Sequence, residues 1–539
     1  MNPFRARLYV LLLTLCLVLS PMAQAQAPAK QQSKPPAQSK GKAATATQQA
    51  AKDPLEGLDA FVETLRADWK VPGVGIAIVK GDEIIYAKGF GQRDVGQNLP
   101  VTPDTLFAIG SCSKAFSATA LGLLVDDAKI DWDKPLRTYL PSFKMWDDYV
   151  TEHMTPRDLV THRSGLPRHD LLWYGSSFTR REMFNRLRYL EPSRGFRASY
   201  QYQNLMFMTA GVLVEEVTGR SWENFISERF FVPLEMKTSN TSVNDSQKAA
   251  DFARPYGGDT EKSNVIPFRN IDQIGPAGSI NSSVREISNW IIAQLNGGNF
   301  NGKQVIPERV LKETHTPHIV SGSTLRYDEL FYSMYAMGWG VNSYRGHLMV
   351  THSGGIDGFT AHVSLLPKDK LGIVILTNKG GTRLTGILAF NVYDRLLGLD
   401  PVPWNERNKE EAAKGREAQQ KAEKEGDSNR KDGTQPSHAV GDFAGEFEHP
   451  GYGSLKIWEN AGKLYATYNG LTTALKHYHY DVFEATDAQF SKMKFSFRLN
   501  GKGDVERVSL PLQSGVSDIV FTRRPPPADQ QKAGSSTQP

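Results

Sequence analysis

Cysteine is almost absent from this chain of 539 residues, which contains only Cys16 and Cys112. Cys16 lies in an N-terminal apolar segment that we expect to be removed, so Cys112 is left without a partner for an intrachain disulfide. A chain of this length buries enough apolar surface to fold without such crosslinks. The cysteine content therefore excludes the small disulfide-stapled secreted domains, and the length allows two or three domains.

The sequence also lacks a large excess of charge of one sign. Lys and Arg number 63 and Asp and Glu 58, which gives a formal net charge of +5. Removing Arg5, Arg7 and the five lysines of residues 26–52 leaves a net charge of −2 from Asp53 onward. This is not the charge distribution of a nucleic-acid-binding protein. We expect no nucleic-acid partner, and at most a contact of the basic segment with the cell envelope.

The apolar run near the N-terminus is too short to span a bilayer comfortably. It covers residues 8–19, follows Arg5 and Arg7, and precedes the small residues Ala23 and Ala25. A basic start, a short apolar stretch and a small-x-small site are typical of a signal peptide. We therefore expect residues 1–25 to be a signal peptide and the protein to be exported, either periplasmic or secreted, with an uncleaved membrane anchor as the alternative.

Several catalytic motifs are missing from the sequence. It has no Gly-x-Ser-x-Gly, the nucleophile motif of α/β-hydrolases, and no glycine-rich phosphate-binding loop. Histidines occur in two close pairs, His315 with His318 and His477 with His479. Neither pair has an acidic or cysteine residue at a spacing typical of zinc sites. We therefore expect neither a metal nor a cofactor.

The clearest catalytic chemistry present is the pair Ser111 and Lys114, at the start of an apolar helical run. On a helix, Ser-x-x-Lys places the hydroxyl and the amine on one face, one turn apart. Serine needs a neighbouring base, and a lysine near other cations can have its pKa lowered enough to act as one. The same spacing occurs three more times, but never in front of an apolar helix.

Two further motifs follow in order, Tyr200-Gln-Tyr202-Gln-Asn204 and His352-Ser353-Gly354-Gly355. With Ser-x-x-Lys they resemble the serine β-lactamase and penicillin-binding protein superfamily, and above all its class C-like branch of β-lactamase-related hydrolases. The resemblance covers roughly residues 55–400 and includes the stretches Thr155–Pro167 and Gly275–Ser283.

The resemblance implies a role for each motif residue. Ser111 is expected to be the nucleophile, Lys114 its base and Tyr202 the second member of the proton relay, with Tyr200 as a competing candidate. The backbone amides of Ser111 and Gly355 are expected to form an oxyanion hole. The residues expected to bind substrate are Asn204, His352, Ser353, Gly354 and Gly355.

Three of these assignments have specific conditions or alternatives. A tyrosine is a poor base at its usual pKa, so cations such as Lys114 and His352 would have to favour the Tyr202 phenolate. Asn204 also suits the N-cap of the helix that follows. His352 occupies a position where many relatives have lysine, and we expect it to titrate within about two pH units of 6.5.

The function implied is an exported serine hydrolase that acts through a Ser111 acyl-enzyme on a small-molecule or peptide substrate. Amides and esters are both candidates: D-amino-acid peptides, cell-wall stem peptides, β-lactams or small esters. The alternatives are a catalytically weak penicillin- or cell-wall-binding protein and a carboxylesterase of the same fold. The sequence leaves the oligomeric state open.

The predicted fold class is α+β, an α/β sandwich. Strand patterns at both ends of residues 53–404 and a helical middle predict an antiparallel sheet flanked by helices, plus a helical subdomain. Short strands and glycine turns in residues 439–524 predict a small all-β barrel or sandwich that resembles a lipocalin-like accessory domain. The remaining segments are a disordered linker at 26–52, a charged linker at 405–438 and a disordered tail at 525–539.

Overall fold

The computed structural model describes residues 53–258, 264–322, 327–424, 429–487, 490 and 492–525. The predicted signal peptide, the linker 26–52 and all of the predicted tail except its first residue lie outside these residues. Within them, no helix has the length and apolar character needed to cross a bilayer.

A nine-stranded antiparallel sheet is built from both ends of the domain 53–404, which confirms the predicted fold class. Its strand Gly73–Lys80 pairs with Glu83–Asp94, and on its other side with Leu371–Thr377 from the far end of the domain. Across the sheet the strands are Ile319–Gly322, Leu330–Tyr335, Gly340–Tyr344, His347–Ile356, Phe359–Leu366, Leu371–Thr377, Gly73–Lys80, Glu83–Asp94 and Leu99–Pro100.

The central strands are buried on both faces because helices cover each side of the sheet. Successive side chains of a strand point to opposite faces, so Ile78 packs under the helices Leu58–Asp68 and Leu384–Leu396. Val79 faces the other way, into the larger core that contains the helix Val284–Leu295. The sheet thus separates two apolar cores, and the catalytic motifs belong to the larger one.

The middle of the chain forms the predicted helical subdomain. Its two long helices, Ser113–Asp126 and Asn204–Thr218, are apolar almost all round and nearly fully buried, as expected for helices inside a large core. The shorter helices are Asp148–His153, Pro156–Leu159, Arg180–Arg186, Trp222–Ile226, Val243–Ser246, Gly275–Gly278 and Glu308–His315.

The C-terminal region is a closed eight-stranded barrel, which decides between the two predicted forms. The first and last strands pair at Phe447 and Arg523, so the barrel has no free edge. The core of the barrel and that of the helical subdomain form one continuous buried cluster. The strands are Gly445–His449, Gly453–Asn460, Lys463–Tyr468, Leu471–His479, Val482–Ala485, Lys494–Leu499, Val505–Leu510 and Ile519–Arg523.

The predicted linker 405–438 begins inside a helix, Trp404–Lys424. Trp404 and Asn405 are buried against the hydrolase domain. The indole N–H of Trp69 donates to Asn405 Oδ1 at 2.9 Å, and the Asn405 amide donates to Asp68 at 2.7 Å. The first turns of this helix therefore stabilise the hydrolase domain, whereas residues 414–422 of the same helix are exposed. Further along the predicted linker, Ser437 donates to the barrel residue Asp481 at 2.8 Å.

Candidate active site

Ser111 lies on a short 3₁₀ turn, Gly110–Cys112, that runs directly into the helix Ser113–Asp126. The turn is fixed from inside, because the Ser113 hydroxyl donates to Gly110 O at 2.7 Å and accepts from the Ile280 amide at 3.1 Å. Gly110 has a φ of +52°, in the region that favours glycine. The sequence thus places the nucleophile on a rigid turn at the entrance of a buried helix.

Lys114 is completely buried, and its Nζ has three polar neighbours. It lies 3.0 Å from Ser111 Oγ, 2.8 Å from Asn204 Oδ1 and 2.7 Å from Ala277 O. A neutral amine has two hydrogens and one lone pair. The amide and carbonyl oxygens can only accept, so they take the two hydrogens and leave the lone pair directed at the Ser111 hydroxyl.

The electrostatics of the site favour this neutral form. Burial lowers the pKa of Lys114 well below its usual value, and the nearby guanidinium of Arg168 lowers that pKa further. The carboxylate of Asp170 acts on the pKa in the opposite direction but is the smaller influence. Lys114 therefore has the contact geometry of a base for Ser111, and its surroundings shift its pKa in the direction that a base requires.

Tyr202 lies beside this pair in the protonated form. The Lys114 Nζ is 4.8 Å from the centre of its ring and the Arg168 guanidinium 5.0 Å. Burial raises the pKa of the Tyr202 phenol, and a side-chain hydrogen bond with Ser111 opposes that rise only in part. The expected help from charged Lys114 and His352 is not present, so Tyr202 is placed to give a proton rather than to take one. Tyr200 packs instead against the rings of His162 and Tyr335.

Asn204 is held between the lysine and a carboxylate. Its Oδ1 faces Lys114, and its Nδ2 donates to Asp170 Oδ1 at 3.0 Å, which fixes the orientation of the amide. The alternative role of Asn204 as the helix N-cap is wrong. Gln203 is the N-cap, and its side-chain oxygen accepts from the Leu205 amide at 2.7 Å.

His352 is buried behind Tyr202, with the two ring centres 6.4 Å apart. Its Nδ1 lies 2.7 Å from Ser353 O, and its Nε2 lies 3.0 Å from the Tyr335 hydroxyl. Because a carbonyl only accepts, Nδ1 carries the hydrogen and Nε2 accepts from Tyr335. Burial, aided by Lys114, lowers the pKa of His352 to about 3. The expectation that His352 titrates near neutrality is therefore wrong. Ser353 is exposed, and it pairs across the ladder with His362, so its side chain lies on the other face of the strand from His352.

Gly354 and Gly355 bring the strand His347–Ile356 against the nucleophile turn. A Cβ on Gly354 would lie 1.9 Å from Ile109 O and 3.1 Å from the Ser111 amide nitrogen, so only glycine allows this approach. A Cβ on Gly110 would lie 2.6 Å from the Gly355 amide nitrogen. The Gly355 and Ser111 backbones are therefore immediate neighbours.

The register of the strands directs the Gly355 amide toward the nucleophile. Ile356 and Phe359 close a two-residue turn, and hydrogen-bonded pairs alternate in an antiparallel ladder, so the Gly355 amide points away from the strand Phe359–Leu366. On its other side the strand Gly340–Tyr344 pairs only as far as Thr351. The Gly355 amide thus lies beside the nucleophile turn with no partner in either of these strand pairings, as a donor to an oxyanion must.

The site opens into a cavity of about 450 Å³. Three of its charged or aromatic lining residues, Arg168, Asp170 and Trp173, are not among the predicted site residues. Asp170 accepts from the Trp173 indole at 2.8 Å and forms an ion pair with Arg168 at 2.5 Å. The segment carries no motif, and its one signal is its position directly after the stretch Thr155–Pro167. Across the described part of the chain, no group of three or more His, Cys, Asp or Glu side chains could hold a metal.

Ser111 contacts a buried lysine amine on one side and the Tyr202 hydroxyl on the other, which is the arrangement of a serine hydrolase. Residues 58–392 match the family model described as Beta-lactamase. The chain therefore belongs to the β-lactamase family. Residues 429–523, which include the barrel, match a domain of unknown function (DUF3471).

Curated relatives cover most of the chain. The unguisins hydrolase ungD' of Aspergillus campestris (strain IBT 28561) is 31% identical over 454 residues, which span 78% of this chain and 81% of that protein. Protein flp of Staphylococcus aureus (strain MW2) is 27% identical over 335 residues, 60% of this chain and 63% of flp.

Solved structures share the fold. The octameric penicillin-binding protein homologue from Pyrococcus abyssi has a TM-score of 0.57 at 21% identity, covering 87% of this chain and 100% of that one. The D-amino acid amidase from Ochrobactrum anthropi SV3 has a TM-score of 0.53 at 21% identity, covering 64% of this chain and 99% of that one.

Proposed function

We propose that this protein hydrolyses amide bonds in small peptides that contain D-amino acids, through an acyl-enzyme on Ser111. The observation that carries the proposal is the set of three contacts of the Lys114 amine, whose lone pair faces the Ser111 hydroxyl. The substrate class is suggested by two names, that of a curated relative called an unguisins hydrolase and that of a protein of the same fold called a D-amino acid amidase. A cavity of about 450 Å³ suits a ligand of a few residues.

Acylation begins when the Ser111 proton passes to Lys114 Nζ as Oγ attacks the carbonyl carbon of the substrate. The carbonyl oxygen becomes an oxyanion, which the amides of Ser111 and Gly355 stabilise by hydrogen bonds worth about 3 kcal/mol each. Because both donors are backbone groups held by the contact of Gly354 with Ile109, they need no rearrangement as the charge develops.

The leaving amine needs a proton before the carbon–nitrogen bond breaks. Lys114 and Tyr202 have pKa values that their surroundings move in opposite directions, one lowered and one raised. Such a separation assigns the base and the acid. Tyr202 gives its proton to the leaving nitrogen and recovers one from the protonated Lys114, whose Nζ lies beside its ring. In deacylation a water attacks the ester carbon, and its proton returns through the same groups to Ser111 Oγ.

Labelling of the full chain tests the nucleophile. A fluorophosphonate or a fluorescent penicillin should attach to Ser111, as located by peptide mapping, and Ser111→Ala should remove the label. Purified protein is then given matched dipeptide amides that differ only in the configuration of one residue, together with a β-lactam and a simple ester. Label that persists in Ser111→Ala overturns the nucleophile assignment. Equal turnover of the L and D series, or stable labelling without turnover, overturns the proposed substrate class.

We also propose that the protein is exported. The support is the sequence pattern of residues 1–25, in which Arg5 and Arg7 precede an apolar run and a small-x-small site. N-terminal sequencing of protein taken from the periplasm or the medium of an expressing cell should begin at Gln26. Intact protein starting at Met1 and recovered with the membrane would contradict cleavage.

A further inference from the structure

The barrel contacts the wall of the active-site cavity. The hydroxyl of Tyr452, a residue of the barrel, lies 2.6 Å from Nδ1 of His169, and both residues are completely buried. His169 directly precedes Asp170, the carboxylate that holds Asn204. The barrel is therefore hydrogen-bonded to the residue directly before Asp170, and Asp170 is bonded to the catalytic site through Asn204.

The hydrogen bonds of His169 have one consistent direction. Its Nε2 lies 3.0 Å from Glu191 O, and because that carbonyl can only accept, Nε2 carries the hydrogen and the Tyr452 hydroxyl donates to Nδ1. Burial lowers the pKa of His169 to about 4, so the ring stays neutral at working pH. His169 also has a φ of +45°, which a residue other than glycine keeps only when its surroundings hold it there.

A second barrel residue is hydrogen-bonded to the residue that follows Asp170. The Asn469 amide donates to Leu171 O at 2.6 Å. Close by, a Cβ on Gly175 would lie 2.6 Å from Asn469 O, so the two backbones are in direct contact. Asp170 thus lies between two residues, His169 and Leu171, that are each bonded to the barrel.

We propose that the barrel positions the catalytic lysine through this segment: Tyr452 and Asn469 hold residues 169–171 so that Asp170 keeps the Asn204 amide oriented toward Lys114. The chain of contacts runs from Asp170 Oδ1 to Asn204 Nδ2 at 3.0 Å and from Asn204 Oδ1 to Lys114 Nζ at 2.8 Å. Tyr452 and Asn469 are positioning residues, since they touch neither the substrate cavity nor the reacting atoms. This proposal rests on the proposed function of Ser111 and Lys114.

Two variants of the full chain each remove one of these two hydrogen bonds with minimal change to the rest of the barrel. Tyr452→Phe removes one hydroxyl, and Asn469→Gly removes one amide while retaining a residue that accepts the φ of +49° at this position. Tyr393→Phe is the matched control, because it also removes a buried hydroxyl bond, to Ser364 at 2.9 Å in the core on the other side of the sheet. The maximal rate of Ser111 labelling, the probe concentration at half-maximal rate and the melting temperature are measured for each protein.

Both barrel variants should lower the maximal labelling rate about ten- to a hundredfold, with a much smaller change in the half-saturating concentration. Tyr393→Phe should show a similar change in melting temperature and the wild-type rate. A double-mutant cycle gives the decisive readout. If Tyr452 acts through Asp170, then Tyr452→Phe should cost little further in an Asp170→Ala background, whereas a general loss of stability would add in full.

The outcomes separate this proposal from the proposed function. Wild-type protein that is not labelled at Ser111 overturns the proposed function. If the wild-type protein is labelled at Ser111, and Tyr452→Phe and Asn469→Gly are both labelled at the wild-type rate, then the positioning role is overturned and the proposed function stands. Additive losses in the cycle also overturn the positioning role. If Tyr452→Phe does not fold, the same cycle is run with Asn469→Gly.

Discussion

The Nζ of Lys114 lies 3.0 Å from the Oγ of Ser111, and the lysine has no exposed surface. Burial and the charge of Arg168 lower the pKa of Lys114, so its neutral form exists at a pH where an exposed lysine would be charged. The rate of Ser111 acylation should therefore rise with pH through the pKa of Lys114 and reach its plateau well below the usual pKa of a lysine.

Lys114→Arg tests this relationship. An arginine stays protonated at every accessible pH and has no lone pair for the Ser111 proton. The maximal labelling rate of the variant should therefore be about a thousandfold below that of the wild type at every pH between about 5 and 9. Lys129→Arg, at an exposed position just after the same helix, is the control and should leave the rate unchanged. A labelling rate near that of the wild type in Lys114→Arg would exclude Lys114 as the base.

Two adjacent glycines should respond very differently to the same substitution. In Gly354→Ala the new methyl would lie 1.9 Å from Ile109 O, so the strand must move away from the nucleophile turn and the oxyanion hole must open. We expect a loss of about a hundredfold in the maximal labelling rate. In Gly355→Ala the nearest atom is Phe359 O at 3.9 Å, so a small probe should react within about tenfold of the wild-type rate.

Circular dichroism and the melting temperature of both glycine variants show whether either one fails to fold. A folded Gly354→Ala that reacts as fast as Gly355→Ala would contradict the close packing of Gly354 on Ile109.

The parts of the site that are local in sequence could be predicted. Ser111 with Lys114, and Tyr202 with Asn204, each lie within one short motif, so their spacing on a helix or at its start carries the information. The sheet could be predicted for the same reason, because its central strands are continuous apolar runs such as Val74–Val79, with a glycine turn after them.

The parts that depend on distant packing could not be predicted. The neutral state of His352 results from burial and from the charge of Lys114, which is far away in the sequence and close only in the folded chain. The role of Asp170 depends on barrel residues about 280 to 300 positions away in the chain. Closure of the barrel depends on the pairing of Phe447 with Arg523, which no local pattern encodes.

The His352 ring should not contribute to the pH dependence of the reaction. Because burial holds the pKa of His352 near 3, its protonation does not change between pH 5 and 8. In His352→Gln the side-chain oxygen can accept from Tyr335 and the amide can donate to Ser353 O, as the imidazole does. The profile of the labelling rate against pH should keep its shape in this variant. An inflection near pH 6.5 that is present in the wild type and lost in His352→Gln would restore the original expectation.

Buried histidines should make the fold sensitive to mild acid. Burial lowers the pKa of His362 and His315 to about 4, below the value of about 6.5 in an unfolded chain. Between these two values the unfolded state binds more protons than the native state, so the free energy of unfolding is greatest above pH 6.5 and falls as the pH falls toward 4. Each such histidine contributes a slope of about 1.4 kcal/mol per pH unit in this window.

Urea unfolding followed by tryptophan fluorescence at half-unit steps from pH 7 to pH 4.5 measures this slope. In His362→Gln the slope of the unfolding free energy against pH should be smaller by the contribution of one proton, about 1.4 kcal/mol per pH unit. The reason is that a glutamine at the same buried position has no titratable group. His362 lies on the strand Phe359–Leu366, on the face turned away from the nucleophile, so Ser111 labelling at pH 7 should stay near the wild-type rate in this variant. A slope that is the same in His362→Gln and the wild type would mean that His362 is protonated in the native state as readily as in the unfolded chain, contrary to its burial.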